Sequence, residues 1–290
     1  MPARWVQVGV KLGAAAIVLG VTALGLAALR WKSATDGMRA RLRSGARPTT
    51  VATFTERELA GLPPPVARYF REALKDGQPV ITHARVTWAG EFNMGQPGAD
   101  KWAPFTAVQD FVPMAPGMVW DARIRMAPGV AVRVRDGFVE GQGSMHGAVL
   151  GLVTVVDKAG TPDMAAAALQ RYLGEAVWLP TALLPSQGMT WTAIDASRAR
   201  ASITGGGTTA AVEFRFGADG LVESVFVPDR LYDDGKNPPS AHPWQARNLR
   251  YVRMHGMMVP ADSVVEWLLP QGAYAYWRGQ PVTIEYEYAR

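Results

Sequence analysis

The segment from Arg171 to Pro185 carries the residue pair best suited to chemistry. Arg171 and Glu175 stand four positions apart, so both side chains share one face if the segment is helical. Inside an aromatic pocket such a pair could orient a polar group of a ligand, whereas on an exposed face it contributes only about 0.3 kcal/mol. The simpler alternative is a helix end held by an ion pair, with Trp178 as a core residue. The sequence leaves both open.

A second segment, 102–109, and the nearby Trp120 add aromatic side chains and one amide. An apolar, aromatic wall with a few polar groups is typical of small-molecule sites. We therefore predict a ligand pocket lined by Trp102, Phe105, Gln109, Trp120, Arg171, Tyr172, Glu175 and Trp178. If the pocket belonged to an enzyme, Glu175 would be its candidate general acid or base.

The sequence does not contain the residue patterns of several other kinds of catalytic site. The chain has no cysteine, and no two of its four histidines (His83, His146, His242 and His255) are closer than 13 positions. Zinc-protease and calcium-loop spacings are missing, as are phosphate-binding and dinucleotide-binding glycine motifs. Ser144 lacks the flanking glycines of a serine-hydrolase turn, since Gln142 and His146 occupy those places. The sequence predicts no metal and no cofactor.

Four arginines share one face of a predicted β-hairpin, opposite its apolar residues: Arg123, Arg125, Arg133 and Arg135. Both strands can turn their apolar side chains to one core only if the turn has an odd length, because a shift of one residue reverses a strand's faces. Carboxylates could neutralise the arginines, the candidates being Asp121, Asp136, Glu285 and Glu287. The alternative is an anion-binding patch for phospholipid headgroups.

Alternating apolar and polar residues recur from residue 80 to the C-terminus, as in 121–126, 130–135, 212–227 and 282–288. Strict alternation is typical of antiparallel strands with one buried face. After the N-terminal region, a helical pattern is found in 63–75 and in 161–173. The second of these starts at a Thr-Pro-Asp cap. We predict a mainly β (α+β) fold, in which one strongly curved antiparallel sheet, or half-barrel, packs on a few helices.

The N-terminal region predicts a membrane helix. Leu12 to Leu29 are 18 uncharged residues, about 27 Å as a helix, with Trp5 and Trp31 at the flanks. A cleaved signal peptide is the alternative. We assign 1–32 to a single-pass transmembrane anchor, 33–60 to a basic juxtamembrane linker and 61–290 to one β-rich domain.

Basic residues are concentrated around that apolar run. Residues 1–50 hold eight basic side chains and one acidic one, and the remaining 240 residues hold 22 basic and 24 acidic ones. The body therefore lacks the basic excess of a nucleic-acid-binding protein. The larger number of positive charges after the run favours a cytoplasmic body in the cell membrane. A periplasmic or other extracytoplasmic body remains the alternative.

Several motifs together resemble a known family. They are Trp-x-Pro-Phe at 102–105, Arg-Tyr-Leu-x-Glu-x-x-Trp-x-Pro-Thr-Ala-Leu-Leu-Pro at 171–185, Trp191, Pro243-Trp244 and Tyr-x-Tyr-Trp-Arg-Gly at 274–279. The chain resembles an uncharacterised bacterial domain family of unknown function, often found behind a membrane segment, over about residues 60–290. The resemblance implies no reaction and no catalytic residue. By fold analogy alone, the curved sheet is similar to that of bacterial lipoprotein carriers.

Three functions remain open at this stage. The leading hypothesis is a membrane-tethered binding module for a membrane lipid or another apolar small molecule. A hydrolase or isomerase that uses Glu175 is the second, and a structural or partner-binding envelope protein is the third. The sequence does not determine the oligomeric state.

Overall fold

The computed structural model describes residues 2–290, and the side chains of residue 12 and residues 14–290. The helices are α1 (Pro2–Ser44), α2 (Pro64–Ala73) and α3 (Pro162–Glu175), with short 3-10 helices at Glu56–Leu59, Ala176–Trp178, Pro180–Leu183 and Pro185–Gln187. The strands are β1 (Ile81–Asn93), β2 (Trp102–Val112), β3 (Gly117–Ala127), β4 (Val130–Val139), β5 (Gln142–Val149), β6 (Val153–Ala159), β7 (Thr190–Ala193), β8 (Arg198–Gly205), β9 (Thr208–Phe216), β10 (Val222–Tyr232), β11 (Ser240–Met254), β12 (Met257–Leu269) and β13 (Gly272–Tyr288).

All thirteen strands form one antiparallel sheet, in the order β6-β5-β4-β3-β2-β1-β13-β12-β11-β10-β9-β8-β7. Two meanders are joined where the first strand pairs with the last, so β6 and β7 are the edges. The sheet curls until the β8–β9 turn meets the β4–β5 turn: a Cβ on Gly206 would lie 2.1 Å from the Gly141 Cα. The predicted curved antiparallel sheet is confirmed.

The concave face is covered by α3 and by the 3-10 helices between Ala176 and Gln187, which we call the 3-10 segment. Thr161 caps α3 by accepting a hydrogen bond from the Met164 N–H, with proline in the first turn. α3 then packs on strands from both meanders, chiefly β5 and β9. Its Leu169 and Tyr172 are fully buried.

Burial on the concave face falls from one end of the strands to the other. The β2–β3, β4–β5 and β11–β12 turns lie at one end, where α2 and the 3-10 segment cover the core and Phe111, Phe138 and Val259 are inaccessible. The β1–β2 loop and the β3–β4, β5–β6 and β12–β13 turns lie at the other end. There Phe92 and Trp267 are only half-buried. We call these the closed end and the open end.

A β-bulge fixes which way the β3–β4 arginines point. Arg125 lies opposite Ala131, whereas Ala127 lies opposite Val130, so Met126 is the extra residue. Five residues therefore separate Arg125 from Ala131. Because this number is odd, as predicted, the apolar side chains of both strands face the core. All four arginines consequently lie on the convex face.

The second half of α1 packs on the convex face of β2–β4. Ala27 lies against Gly151 of the β5–β6 turn at the open end, and Leu42 packs on Val119 near the closed end. Residues 33–44 are thus part of this helix and not a linker, and Phe54 and Leu59 of the following segment lie in the main core. These observations correct the predicted linker at 33–60.

The part of α1 before Ala27 projects past the open end. The described side chains of this part, those of residue 12 and residues 14–26, are exposed, among them Leu19 and Val21. Of the described residues, one helix is long and apolar enough to cross a membrane. The Trp31 indole was predicted to lie at the membrane interface. It is instead buried on the sheet and donates to Asp121 over 2.8 Å. The side chain of Trp5 lies outside the described residues.

A buried carboxylate joins α1 to the sheet. Asp110 of β2 is 1% exposed and accepts hydrogen bonds from Arg85 over 2.8 and 3.0 Å. The Arg39 Nε of α1 lies 2.8 Å from its other oxygen, as a charge contact without hydrogen-bond geometry. His83 lies 3.1 Å away. Burial raises the pKa of Asp110, but the His83 hydrogen bond and the two arginine charges outweigh it, so the pKa lies below its usual value.

Candidate functional site

A charged cluster lies on the concave face where α3 crosses β2–β4. The Arg171 Nε donates to Glu175 over 2.7 Å, and its Nη1 donates to Asp136 of β4 over 2.6 Å. Gln109 of β2 donates to the second oxygen of Glu175 over 2.6 Å. The side chains of Arg171, Glu175 and Asp136 remain 18, 20 and 12% exposed, so the cluster reaches solvent.

A second guanidinium extends this cluster toward β10–β13. Arg230 stacks 4.8 Å above the Trp244 ring and donates to the Ala167 carbonyl of α3 over 2.8 Å. The Trp244 indole donates to the Tyr276 hydroxyl over 3.0 Å. Two positive and two negative side chains therefore share one region of the concave face.

The electrostatics of the cluster follow from burial and charge balance. Burial lowers the pKa of Arg171, but the carboxylates of Glu175 and Asp136 outweigh burial and hold the pKa above its usual value. Burial lowers the pKa of Arg230 and raises that of Tyr276. Arg171 also stacks on Trp120, 5.1 Å from the ring. The cluster is thus a set of fixed charges among aromatic rings.

Half-buried aromatic side chains stand between this cluster and the open end. The Tyr276 ring lies 5.8 Å from Phe92 and 6.5 Å from Trp267, whose other neighbour is Tyr232 at 4.9 Å. Trp277 lies 5.7 Å from Phe105. We call Phe92, Tyr232, Trp267, Tyr276 and Trp277 the rim. The rim offers apolar surface next to fixed charges, which suits a ligand with both kinds of group.

The structure brings together four of the predicted pocket residues, Gln109, Trp120, Arg171 and Glu175. Phe105 joins them as a buried neighbour of Trp120, with ring centroids 6.0 Å apart. Tyr172 and Trp178 are core residues: one packs on Phe111, and the other packs on Trp88 and donates to the Pro260 carbonyl.

Trp102 does not belong to the predicted pocket. It lies on the convex face, under the guanidinium of Arg278 at 4.3 Å. The reason is the two-residue period of β2: Phe105 is three positions away, so the two rings must point to opposite faces. The placement of Trp102 in the pocket was therefore wrong.

Sequence reasoning missed Asp136, Arg230, Phe92, Trp267 and Tyr276 as parts of this site. Asp136 had a readable signal, since it is two positions from Phe138 and so shares its concave face. A charged side chain on an otherwise apolar face of a strand indicates a buried partner. Tyr276 reaches the concave face through a bulge in the β12–β13 pairing, which no local pattern indicated.

The geometry gives little support to Glu175 as a general acid or base. Arg171 and Gln109 each occupy one of its oxygens. Protonating this carboxylate would weaken both of these interactions, because each is strengthened by its negative charge. A positioning role for the whole cluster fits better.

Of the four predicted patch arginines, Arg135 is engaged with α1: it stacks 4.8 Å from the Trp31 ring and lies 3.3 Å from the Thr35 hydroxyl. Asp136 does not neutralise the patch, because it lies on the other face and pairs with Arg171. Glu287 pairs with Arg43. Among the described residues, no ion pair within 4 Å involves Arg123, Arg125 or Arg133.

Two cavities lie against α1, away from the cluster. One of about 60 Å³ is lined by Leu42 and Glu140, and one of about 380 Å³ is lined by Gly37, Arg135 and His146. In the described part of the chain, no three His, Asp or Glu side chains are grouped as metal ligands would be.

A family model matches residues 52–279, and its description is a family of unknown function, DUF6544. The chain belongs to this family. The match covers α2, α3 and the sheet up to residue 279 of β13, and it confirms the resemblance inferred from the motifs. No curated protein matches the chain.

Three solved structures show distant likeness. An outer membrane lipoprotein-sorting protein domain from Vibrio parahaemolyticus is 8% identical, with 71% of this chain and 85% of that chain covered and a TM-score of 0.37. A LolA superfamily protein from Nitrosomonas europaea is 9% identical, with coverage of 81% and 94% and a TM-score of 0.32. A β-barrel-like protein of unknown function from Brucella abortus is 10% identical, with coverage of 72% and 99% and a TM-score of 0.27. At these TM-scores the likenesses carry no functional argument.

Proposed function

We propose that this family member is a membrane-anchored binding module that takes an amphiphilic lipid at the open end of its half-barrel. The observation that supports this most is the burial gradient on the concave face. Side chains at the closed end are inaccessible, whereas the rim aromatics are half-buried next to a solvent-accessible charged cluster. An apolar wall with a few fixed polar groups suits a ligand that has a hydrocarbon chain and a polar head.

The position of α1 supports the same proposal. The exposed apolar part of the helix leaves the body at the open end, where Ala27 meets the β5–β6 turn. If residues 12–29 span a bilayer, the rim lies at the membrane-proximal end of the body. A lipid could then pass from the bilayer to the rim over a short path.

The packed core supports a binding site at the surface of the concave face. The buried side chains of Phe105, Tyr172 and Trp178 fill the deeper part of the concave face, so the protein itself occupies that space. The lipid therefore binds against the rim and the charged cluster, and not inside a deep tunnel.

Photo-crosslinking tests the proposal. The full chain is reconstituted in vesicles that contain a diazirine-labelled phospholipid, and the crosslinked peptides are mapped by mass spectrometry. We expect crosslinks on β12 and β13 near Trp267 and Tyr276. Removing a rim aromatic by Trp267→Ala should weaken binding by about 2 kcal/mol, or more than tenfold. Trp191→Ala is the matched control, because Trp191 is also half-buried but lies on β7 against Phe214.

The proposal fails if crosslinks are confined to α1 and the hairpin turns, or if the two tryptophan variants lose β12–β13 labelling equally. The first result would mean that lipid does not reach the rim. The second would mean that the loss reflects general destabilisation.

The body is proposed to lie on the cytoplasmic side. More positive charges follow the apolar run than precede it, which favours this orientation. A reporter fused after Arg290 tests it: a reporter that is active only outside the cytoplasm would reverse the assignment.

A further inference from the structure

We propose that the open end carries a second membrane contact, made by the tips of the β3–β4 and β5–β6 hairpins together with Arg123, Arg125 and Arg133. Its partner is the anionic headgroup layer of the bilayer that α1 enters. The inference rests on the proposed anchoring by α1, and it adds a lipid-binding surface that is separate from the rim. We call it the tip contact.

The β5–β6 turn lies close to the end of the apolar run of α1. Ala27 lies against Gly151, and Ala27 is only two residues before Leu29, the last residue of the uncharged run. Two residues of helix correspond to about 3 Å. The β5–β6 turn is therefore level with the final turn of the apolar helix, at the height where hydrocarbon gives way to headgroups.

The tips of both hairpins expose aliphatic side chains. Leu152 and Val153 are 48 and 64% exposed, and Val155 on the same edge strand is exposed as well. Val130, at the adjacent β3–β4 tip, is also exposed. Soluble proteins protect an edge strand with charges or prolines. A cluster of exposed aliphatic side chains beside a membrane helix instead fits insertion into the bilayer interface.

Three arginines that form no ion pair within 4 Å in the described part of the chain are grouped on the convex face of β3 and β4. Arg123 lies directly opposite Arg133 across the strand pair, and Arg125 is the next convex residue toward the tip. Like charges in that position are unfavourable unless an anion lies between them. In the described residues, no carboxylate within 4 Å pairs with these three side chains. Phosphate groups of anionic lipids would provide the missing counter-charges.

Distances along the strand place these arginines within reach of headgroups. Arg125 is three residues from Pro128 of the turn, about 10 Å at the rise of a strand, and Arg123 is about 17 Å away. The headgroup layer is roughly 5–8 Å thick, and screening extends about another 8 Å. With the tip in the interface, Arg125 reaches the headgroups, and Arg123 and Arg133 lie within their field.

The absence of cysteine in the chain makes the test direct. A single cysteine is introduced by Val153→Cys in the full chain and labelled with a fluorophore that spin-labelled lipid quenches. The chain is reconstituted in vesicles of phosphatidylcholine alone or mixed with phosphatidylglycerol. Leu249→Cys is the matched control, since Leu249 is an exposed aliphatic residue of β11. Val21→Cys, within the apolar run, reports on anchoring itself.

We expect strong quenching at Val21→Cys, strong quenching at Val153→Cys that increases with phosphatidylglycerol, and weak quenching at Leu249→Cys. Each arginine near an anionic surface is worth about fivefold in binding, so the three together give about a hundredfold. Changing all three to glutamine should abolish the phosphatidylglycerol dependence at position 153. The same change at Arg200, Arg215 and Arg250, which are exposed but paired with acidic residues, should not.

Two results would overturn the tip contact. If Val21→Cys is quenched but Val153→Cys behaves like Leu249→Cys, the anchor stands and the tip contact is wrong. If Val21→Cys is not quenched, both the anchor and the tip contact are wrong. Lipid crosslinking at the rim is measured separately, so failure of the rim site is distinguishable from either result.

Discussion

Substituting the carboxylate that joins α1 to the sheet tests whether this helix is an integral part of the fold. Asp110→Asn removes the negative charge between Arg39 and Arg85 without changing the volume of the side chain. Whichever way the new amide group is oriented, its nitrogen faces one of the two arginines. Removing one partner of a buried ion pair costs about 3–5 kcal/mol. Because Arg85 is 42% exposed and therefore screened by solvent, we expect the lower end, about 3 kcal/mol.

The assay is urea unfolding of the full chain in detergent micelles, followed by the circular dichroism of the strands. Asp262→Asn is the control, since Asp262 also pairs with an arginine but both partners are exposed. We expect that variant to lose less than about 1 kcal/mol. Equal losses in the two variants would show that the Asp110 network does not stabilise the docking of α1.

The pH dependence of the same experiment has a defined sign. The pKa of Asp110 is lower in the folded state than its ordinary value of 3.8. Its stabilisation is therefore complete above about pH 4 and is lost as the pH falls through the folded-state pKa. The stability difference between the wild-type chain and Asp110→Asn should shrink below pH 4. A difference that stays constant down to the acid-unfolding range would contradict the assigned charge network.

Three further substitutions test elements that position the site. Thr161→Ala removes the cap of α3 and should lower the free energy of unfolding by about 1 kcal/mol, as measured by urea unfolding, while Thr204→Ala on an exposed strand should change it little. Gly143→Ala places a Cβ 2.1 Å from the Met164 carbonyl oxygen, so α3 must shift; we expect a drop in thermal midpoint, whereas an unchanged midpoint would show that the helix can move freely. Trp178→Phe leaves the Pro260 carbonyl without its indole donor and should cost about 1–3 kcal/mol by the same unfolding assay, a loss that Trp102→Phe on the convex face should not reproduce.

The alternating pattern predicted much of the fold and part of the site. It placed the arginines of β3 and β4 on one face, and it implied the odd spacing that the Met126 bulge provides. Applied to every residue, the same two-residue period places Trp102 and Phe105 on opposite faces of β2, and Asp136 and Arg135 on opposite faces of β4. Those two errors therefore came from not applying the period to every residue.

Other features had no local signal in the sequence. The docking of α1 depends on Arg39 meeting Asp110 and Trp31 meeting Asp121, contacts between residues far apart in the chain. Propensity and periodicity describe single segments, so they could extend neither the helix to Ser44 nor the body to Phe54. The arrangement of Arg230 next to Trp244 likewise appears only after the sheet has curled.

The pairing of β1 with β13 has a consequence for how the protein is made. Residues 94–271, which are 178 residues, separate these two neighbouring strands, and a ribosome that adds about 5–20 residues per second needs roughly 9–36 s to synthesise them. During that interval, the edge of β1 that will pair with β13 has no partner strand. β13 must therefore join two meanders made earlier, and loss of its 17 residues would remove the strand pairing between them. Premature termination near the C-terminus should thus be far more damaging than its small share of the chain suggests.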